Sequence, residues 1–218
     1  MKPIVIGFYT PSYRDLACKF LAHIKRQNVD CKLYAMDDLG SWERAVMVKP
    51  IVVIKARHDY PGRPLVLMDV DCECDFSRGE LSEIADADGY DDVSLYVRHR
   101  PNAKRKIWAS SRVMVWRDTD GAAALANIWP MERRADDKSI EGALLRSIES
   151  AKQTKIGQLP KQWAGLEWDE APPDWVIRHH SAHDATRPFW GLQSWLRRTR
   201  RGLVSKVVGD YEAWRYGA

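Results

Sequence analysis

The chain has 218 residues, 45% of them hydrophobic and 29% charged, the make-up of one globular domain with room for a small appendage. That composition excludes a fibrous repeat and long disorder, and no apolar run approaches the roughly 18 to 20 residues of a bilayer span. Lys and Arg exceed Asp and Glu by four, yet six bases and no acid lie between Arg187 and Lys206; without them the balance is 28 bases against 30 acids. The basicity is therefore local, which points to a polyanion or a membrane surface as its contact.

The first apolar run, 3–8, is too short for a signal peptide and reads as a strand ending in Tyr9 and Thr10. Leu16, Phe20, Leu21 and Ile24 recur at helical spacing over 15–27. Residues 31–36 alternate as a second strand. A loop over 37–41 precedes a helix that starts near Trp42 and runs past Pro50, with the proline at a first turn or a break. The turn Tyr60-Pro-Gly-Arg-Pro64 leads into Leu65-Val-Leu-Met68, a buried strand that continues directly into Asp69-Val70-Asp71. Strand, helix, strand, helix, strand is the order of an α/β sheet with parallel crossovers.

Later, 92–97 and 112–116 read as strands, 122–129 and 139–150 as helices, and 176–178 as a short last strand before His179-His180. Five of the ten tryptophans fall between Trp163 and Trp195 and load the second half with aromatic surface. Four cysteines, Cys18, Cys31, Cys72 and Cys74, are too few for a disulfide framework in a chain this long. Cys72 and Cys74 are expected as small buried packing residues. Their spacing is a poor start for a zinc site.

Two constellations carry chemistry. Asp69 and Asp71 sit where ligands bind in open α/β sheets, beyond the carboxyl end of a strand. Two carboxylates at i and i+2 suit a hard divalent cation, and such an ion can stabilise a departing diphosphate. The second is the late run from Arg178 to Trp190, with His179, His180 and His183 ahead of Arg187 and Pro188. Imidazole is a good manganese or zinc ligand, and Arg187 could clamp a diphosphate. A haloacid-dehalogenase phosphatase also places Asp-x-Asp after a strand, but its motif lies near the N-terminus and ends in threonine, whereas Glu73 and Cys74 follow here.

Taken in order, Tyr9-Thr10, Lys49-Pro50, Leu65-Val-Leu-Met-Asp-Val-Asp71 and the late histidines resemble the GT-A nucleotide-sugar glycosyltransferases, most closely glycogenin and the bacterial lipopolysaccharide galactosyltransferases. That family's late motif reads His-x-x-Gly-x-x-Lys-Pro-Trp. Here His180 precedes Arg187-Pro188 by seven residues instead of six, His183 occupies the glycine position, and Phe189 intervenes before Trp190. The family's Asp-Gln-x-x-Leu-Asn-x-Ala-Leu helix is matched by Asp136-Asp137 through Ala143-Leu144, with Asp137 for glutamine and Glu141 for asparagine. Its Asn-Ser-Gly-Val segment is matched by Ser110-Ser111-Arg112-Val113, with Arg112 in place of glycine.

The resemblance implies a GT-A, Rossmann-like fold over 1–190: a mixed, mostly parallel sheet flanked by helices, with 191–218 as a basic, Trp-containing helical tail. It implies a nucleoside-diphosphate sugar donor, UDP-linked, held with Mn²⁺ or Mg²⁺. Asp69 and Asp71 would serve the metal with His180 or His183. Tyr9, Thr10, Lys49, Asp69 and Arg187 would contact the donor, and Asp136, Asp137 and Arg187 would act in catalysis, with retention at the anomeric carbon.

The acceptor is not named by any motif. Basic segments 98–106 and 195–206 could follow a phosphate backbone while Trp108 or Trp195 stacks on a base, which ranks a hydroxymethylated base in DNA first. That suits a viral-type enzyme in a host cytoplasm. A lipid-linked or lipopolysaccharide glycan ranks second, since the tail could also lie on anionic lipid. The competitor of another class is a non-catalytic nucleic-acid-binding protein on the same scaffold.

Overall fold

A computed structural model describes residues 1–38, 40, 42–85, 91–99, 107–134, 137, 140–167 and 171–179. All belong to the first of two units into which the chain divides, Met1–His179. Strand β1 (Ile4–Tyr9) leads through a 3-10 turn at Pro11–Tyr13 into helix α1 (Arg14–Arg26), and β2 (Cys31–Ala35) follows. The single helix expected from Trp42 past Pro50 is two: α2 (Trp42–Val46) and α3 (Lys49–Asp59). Pro50 lies in the first turn of α3, where its missing N–H would have no intrahelical partner.

Strand β3 (Leu65–Met68) is buried throughout. Then come β4 (Cys72–Cys74), a 3-10 turn at Phe76–Arg78, α4 (Leu81–Ala85), β5 (Val93–His99) and β6 (Ile107–Trp116). Helices α5 (Asp120–Ile128) and α6 (Ile140–Ser150), short strands β7 (Ile156–Gln158) and β8 (Leu166–Glu167), and β9 (Ile177–His179) complete the described part.

The large sheet runs β2-β1-β3-β6-β5-β7. Strands β1, β2 and β3 pair in parallel, as do β5 and β7, while β6 is antiparallel to both β3 and β5. The sheet is thus mixed and mostly parallel, as expected. Alternation decides its two faces. Ile4, Ile6, Leu65, Leu67, Met114 and Trp116 share one core with residues of α3, α5 and α6. Val5, Val66, Met68, Val113 and Val115 share the other with residues of α1, α4, β4 and β9. Each fully buried aliphatic side chain adds about 1.5–3 kcal/mol, so both faces specify the register strongly.

A second, small sheet runs β4-β9-β8. Its strands, three residues or fewer, are too short for a periodicity to reveal. Cys72 and Cys74 lie buried within it as free thiols, as expected. Trp163 is buried too, with its ring 6.4 Å from that of Phe76, so it supplies core and not the aromatic surface foreseen for it.

One irregularity bears on function. Between Leu95↔Met114 and Val97↔Ala109, β6 takes five residue steps where β5 takes two. The surplus forms a bulge at Ser110–Arg112, alongside the end of β3. Among the described residues no helix is long and apolar enough to cross a membrane.

Candidate functional site

Strand β3 ends at Met68, and the next carboxylate, Asp69, stands at the sheet's carboxyl edge. Its N–H donates to Arg112 O in the bulge at 3.1 Å, and its own carbonyl accepts the Cys72 N–H at 3.0 Å. The turn between β3 and β4 therefore fixes both Asp69 and Asp71. Gly7 permits this packing: a Cβ there would lie 2.7 Å from Met68 O.

Lys49, only 3% exposed, comes from the start of α3. Its Nζ sits 2.7 and 3.0 Å from the two oxygens of Asp69, 3.0 Å from Ser111 O and 3.3 Å from Ser111 Oγ. A buried ammonium needs such partners, because an unpaired charge in the interior costs several kcal/mol. Lys49 was expected to touch the donor; among the described residues its Nζ is paired with Asp69 and Ser111. It acts as a prop for the carboxylate.

Asp71 meets His179 across the small sheet. Antiparallel pairing sets His179 opposite Cys72, and its Nε2 lies 3.1 Å from Asp71 Oδ1. Ligand atoms of Asp69, Asp71 and His179 all fall within 4.8 Å of one another, a group that could hold a metal ion. Both side chains of the His179–Asp71 pair are largely buried, and Nδ1 of His179 is buried with no hydrogen-bond partner among the described residues. Buried polar atoms are normally satisfied, so this ring has capacity left over. Two carboxylates and an imidazole form a donor set suited to a divalent cation.

Electrostatics agree with the crowding. Burial, above all, pushes the Asp69 carboxyl up; neighbouring Asp71 adds to the rise, while Lys49 and His179 oppose it. Tyr13 responds to the same pair: burial, then Asp71 and Asp69, raise its phenol, which stays protonated. Sequence reasoning did not select Tyr13.

Of the other expected site residues, Thr10 is buried, with Oγ1 3.2 Å from Ser12 Oγ, and its carbonyl accepts the Tyr13 N–H. Tyr9 packs half-buried on the α1 side, and its carbonyl accepts the Met36 N–H. Asp137 accepts the Arg134 N–H at 2.8 Å and pairs with the Arg146 guanidinium of α6. Burial would raise its carboxyl, but the Arg146 and Arg134 contacts outweigh burial and hold it below the usual range. Asp136, His180, His183 and Arg187 lie outside the described residues, as do 100–106 and 195–206 of the basic segments. Among the described residues the histidine beside the aspartates is His179, one residue before the first candidate. The strand expected over 176–178 stopped one residue short of it. In β9, period-two alternation places His179 on the face of buried Ile177, the signal that would have singled it out.

No family model matches this sequence, and no curated protein matches it. Solved structures do. The chain is similar to a glycosyltransferase involved in the glycosylation of the major capsid of PBCV-1, at 9% identity and a TM-score of 0.66, over 83% of this chain and 93% of that one. It is similar to the glycosyltransferase GlyE of Streptococcus pneumoniae TIGR4, at 11% identity and a TM-score of 0.56, covering 91% and 64% of the two chains. The galactosyltransferase LgtC, in complex with donor and acceptor sugar analogues, matches at 9% identity and a TM-score of 0.50, over 82% and 87%. Identities this low speak for architecture alone: the chain has the GT-A fold of these three structures.

Proposed function

We propose that this protein is a metal-dependent glycosyltransferase that moves a sugar from a nucleoside-diphosphate sugar, UDP-linked, to a hydroxyl acceptor. One observation carries the reading: Asp69, Asp71 and His179 converge beyond the carboxyl end of β3, within the GT-A fold. Asp71 and His179 would hold the ion directly, with Asp69 beside them. Bound there, a dication would offset the charge that develops on a departing diphosphate. Lys49 keeps Asp69 oriented and partly neutralised. Tyr13 offers a protonated phenol, a hydrogen-bond donor beside the carboxylates. Arg187 remains the proposed partner of the diphosphate.

The test is a thermal-shift panel of nucleotide sugars, with and without Mn²⁺. A ligand that binds only the folded state raises the melting temperature by mass action. Stabilisation by a UDP-sugar that requires Mn²⁺ is expected. Stabilisation by no nucleotide, beside salt-sensitive DNA binding, would favour the non-catalytic alternative. Product NMR then reads the anomeric configuration, expected to match the donor's. Incubation with UDP-glucose and hydroxymethylcytosine DNA, followed by nucleoside mass spectrometry, tests DNA as acceptor.

A further inference from the structure

Strand β4 leads from the aspartates to a concave surface. Two residues along it from Asp71, about 7 Å at strand rise, Glu73 enters the lining of a cleft of about 690 Å³. Helix α1 contributes His23 and Arg26 from its last turns. The segment after β4 contributes Asp75 and Arg78, and Trp175 comes from the approach to β9. The volume falls within the roughly 300–1,000 Å³ typical of ligand sites.

The lining is braced. Arg78 Nε donates to Asp75 at 2.8 Å, and Arg178 donates to Glu73 at 2.6 and 2.8 Å. The same two guanidinium groups lie 4.8 and 4.0 Å from the Trp175 ring centre, which fixes the indole. His23 Nε2 stands 2.6 Å from Cys74 O. Arg26, in contrast, makes no hydrogen bond or ion pair among the described residues, although it lines the same cleft.

Charge then narrows the ligand. Arg178 neutralises Glu73 and Arg78 neutralises Asp75, which leaves Arg26 as the one guanidinium of the lining without a carboxylate among the described residues, far short of the row of bases that a phosphate backbone requires. Acceptors and donors alternate at short range, which matches neighbouring sugar hydroxyls, each both donor and acceptor. An indole held in place adds an amphipathic wall.

We infer that this cleft binds the saccharide part of the acceptor, a neutral oligosaccharide; this rests on the glycosyltransferase reading above. The whole protein is titrated with neutral gluco-, galacto- and manno-configured oligosaccharides by saturation-transfer NMR, without nucleotide or metal. At least one is expected to bind saturably, at least tenfold more weakly to Arg26→Ala and not at all to Trp175→Ala. Melting temperatures confirm that each variant is folded, and exposed Arg26 keeps the test valid if Trp175→Ala is not. Binding of none of the sugars, or binding unchanged in Arg26→Ala, overturns the proposal. So does a DNA duplex that binds in an Arg26-dependent way where the sugars do not. Sugar binding without stabilisation by any UDP-sugar keeps the cleft and removes the glycosyltransferase reading; the reverse pattern removes the cleft alone.

Discussion

Asp69 and Asp137 each face a basic partner, Lys49 and Arg146, yet their carboxyls shift in opposite directions. Burial opposes ionisation at both. At Asp137 it is outweighed by Arg146 and by the Arg134 N–H. At Asp69 burial is the largest influence and wins over Lys49, and a second carboxylate in the same corner, Asp71, adds to the rise. One aspartate is part of a finished ion pair at the entry to α6. The other belongs to a cluster still short of positive charge.

That contrast can be broken most sharply at Asp71. Asp71→Asn should abolish metal-dependent transfer and weaken Mn²⁺ binding by at least about 100-fold, read by calorimetry; an active variant removes the pair from the mechanism. Next in size is Lys49→Met, which strands Asp69 in the interior. Breaking a buried pair from one side costs about 3 kcal/mol, measurable as a lower urea midpoint. His179→Ala should then cost roughly tenfold in Mn²⁺ affinity or more, with little loss of stability. The smallest effect belongs to Asp137→Asn, no more than about 1 kcal/mol for a partly solvated pair. Since the folded carboxyl is held below its unfolded value, its contribution is present above the unfolded range and fades as pH falls through the folded one. The variant should therefore melt lower than the parent near neutrality and equally in strong acid. Loss of transfer at unchanged stability would instead support the catalytic role that the resemblance gave Asp137.

The sequence made the first half of this fold readable because β1, α1 and β3 each carry a complete apolar pattern. Asp69 and Asp71 were readable for the same reason, as a break in such a pattern. Lys49 was legible as a position but not as a role, since its partners lie 20 and 62 residues away. His179 was hidden by its neighbours: three histidines in five positions look alike until strand pairing sets one opposite Cys72. Of the small sheet only β9 was foreseen, over 176–178; β4 and β8, three and two residues long, hold no repeat. Trp163 misled in another way, since composition cannot tell a core indole from a surface one.

The bulge in β6 has a consequence of its own. By slipping three residues out of step with β5, the neighbouring strand frees Ser111 O and Arg112 O to meet Lys49 and Asp69. The aspartates thus owe their placement to slack in a strand that carries neither of them. Deleting one residue at 110–112 would draw that slack taut and withdraw the carbonyls, so a length change there should disarm the corner while every acidic and imidazole side chain remains in the sequence.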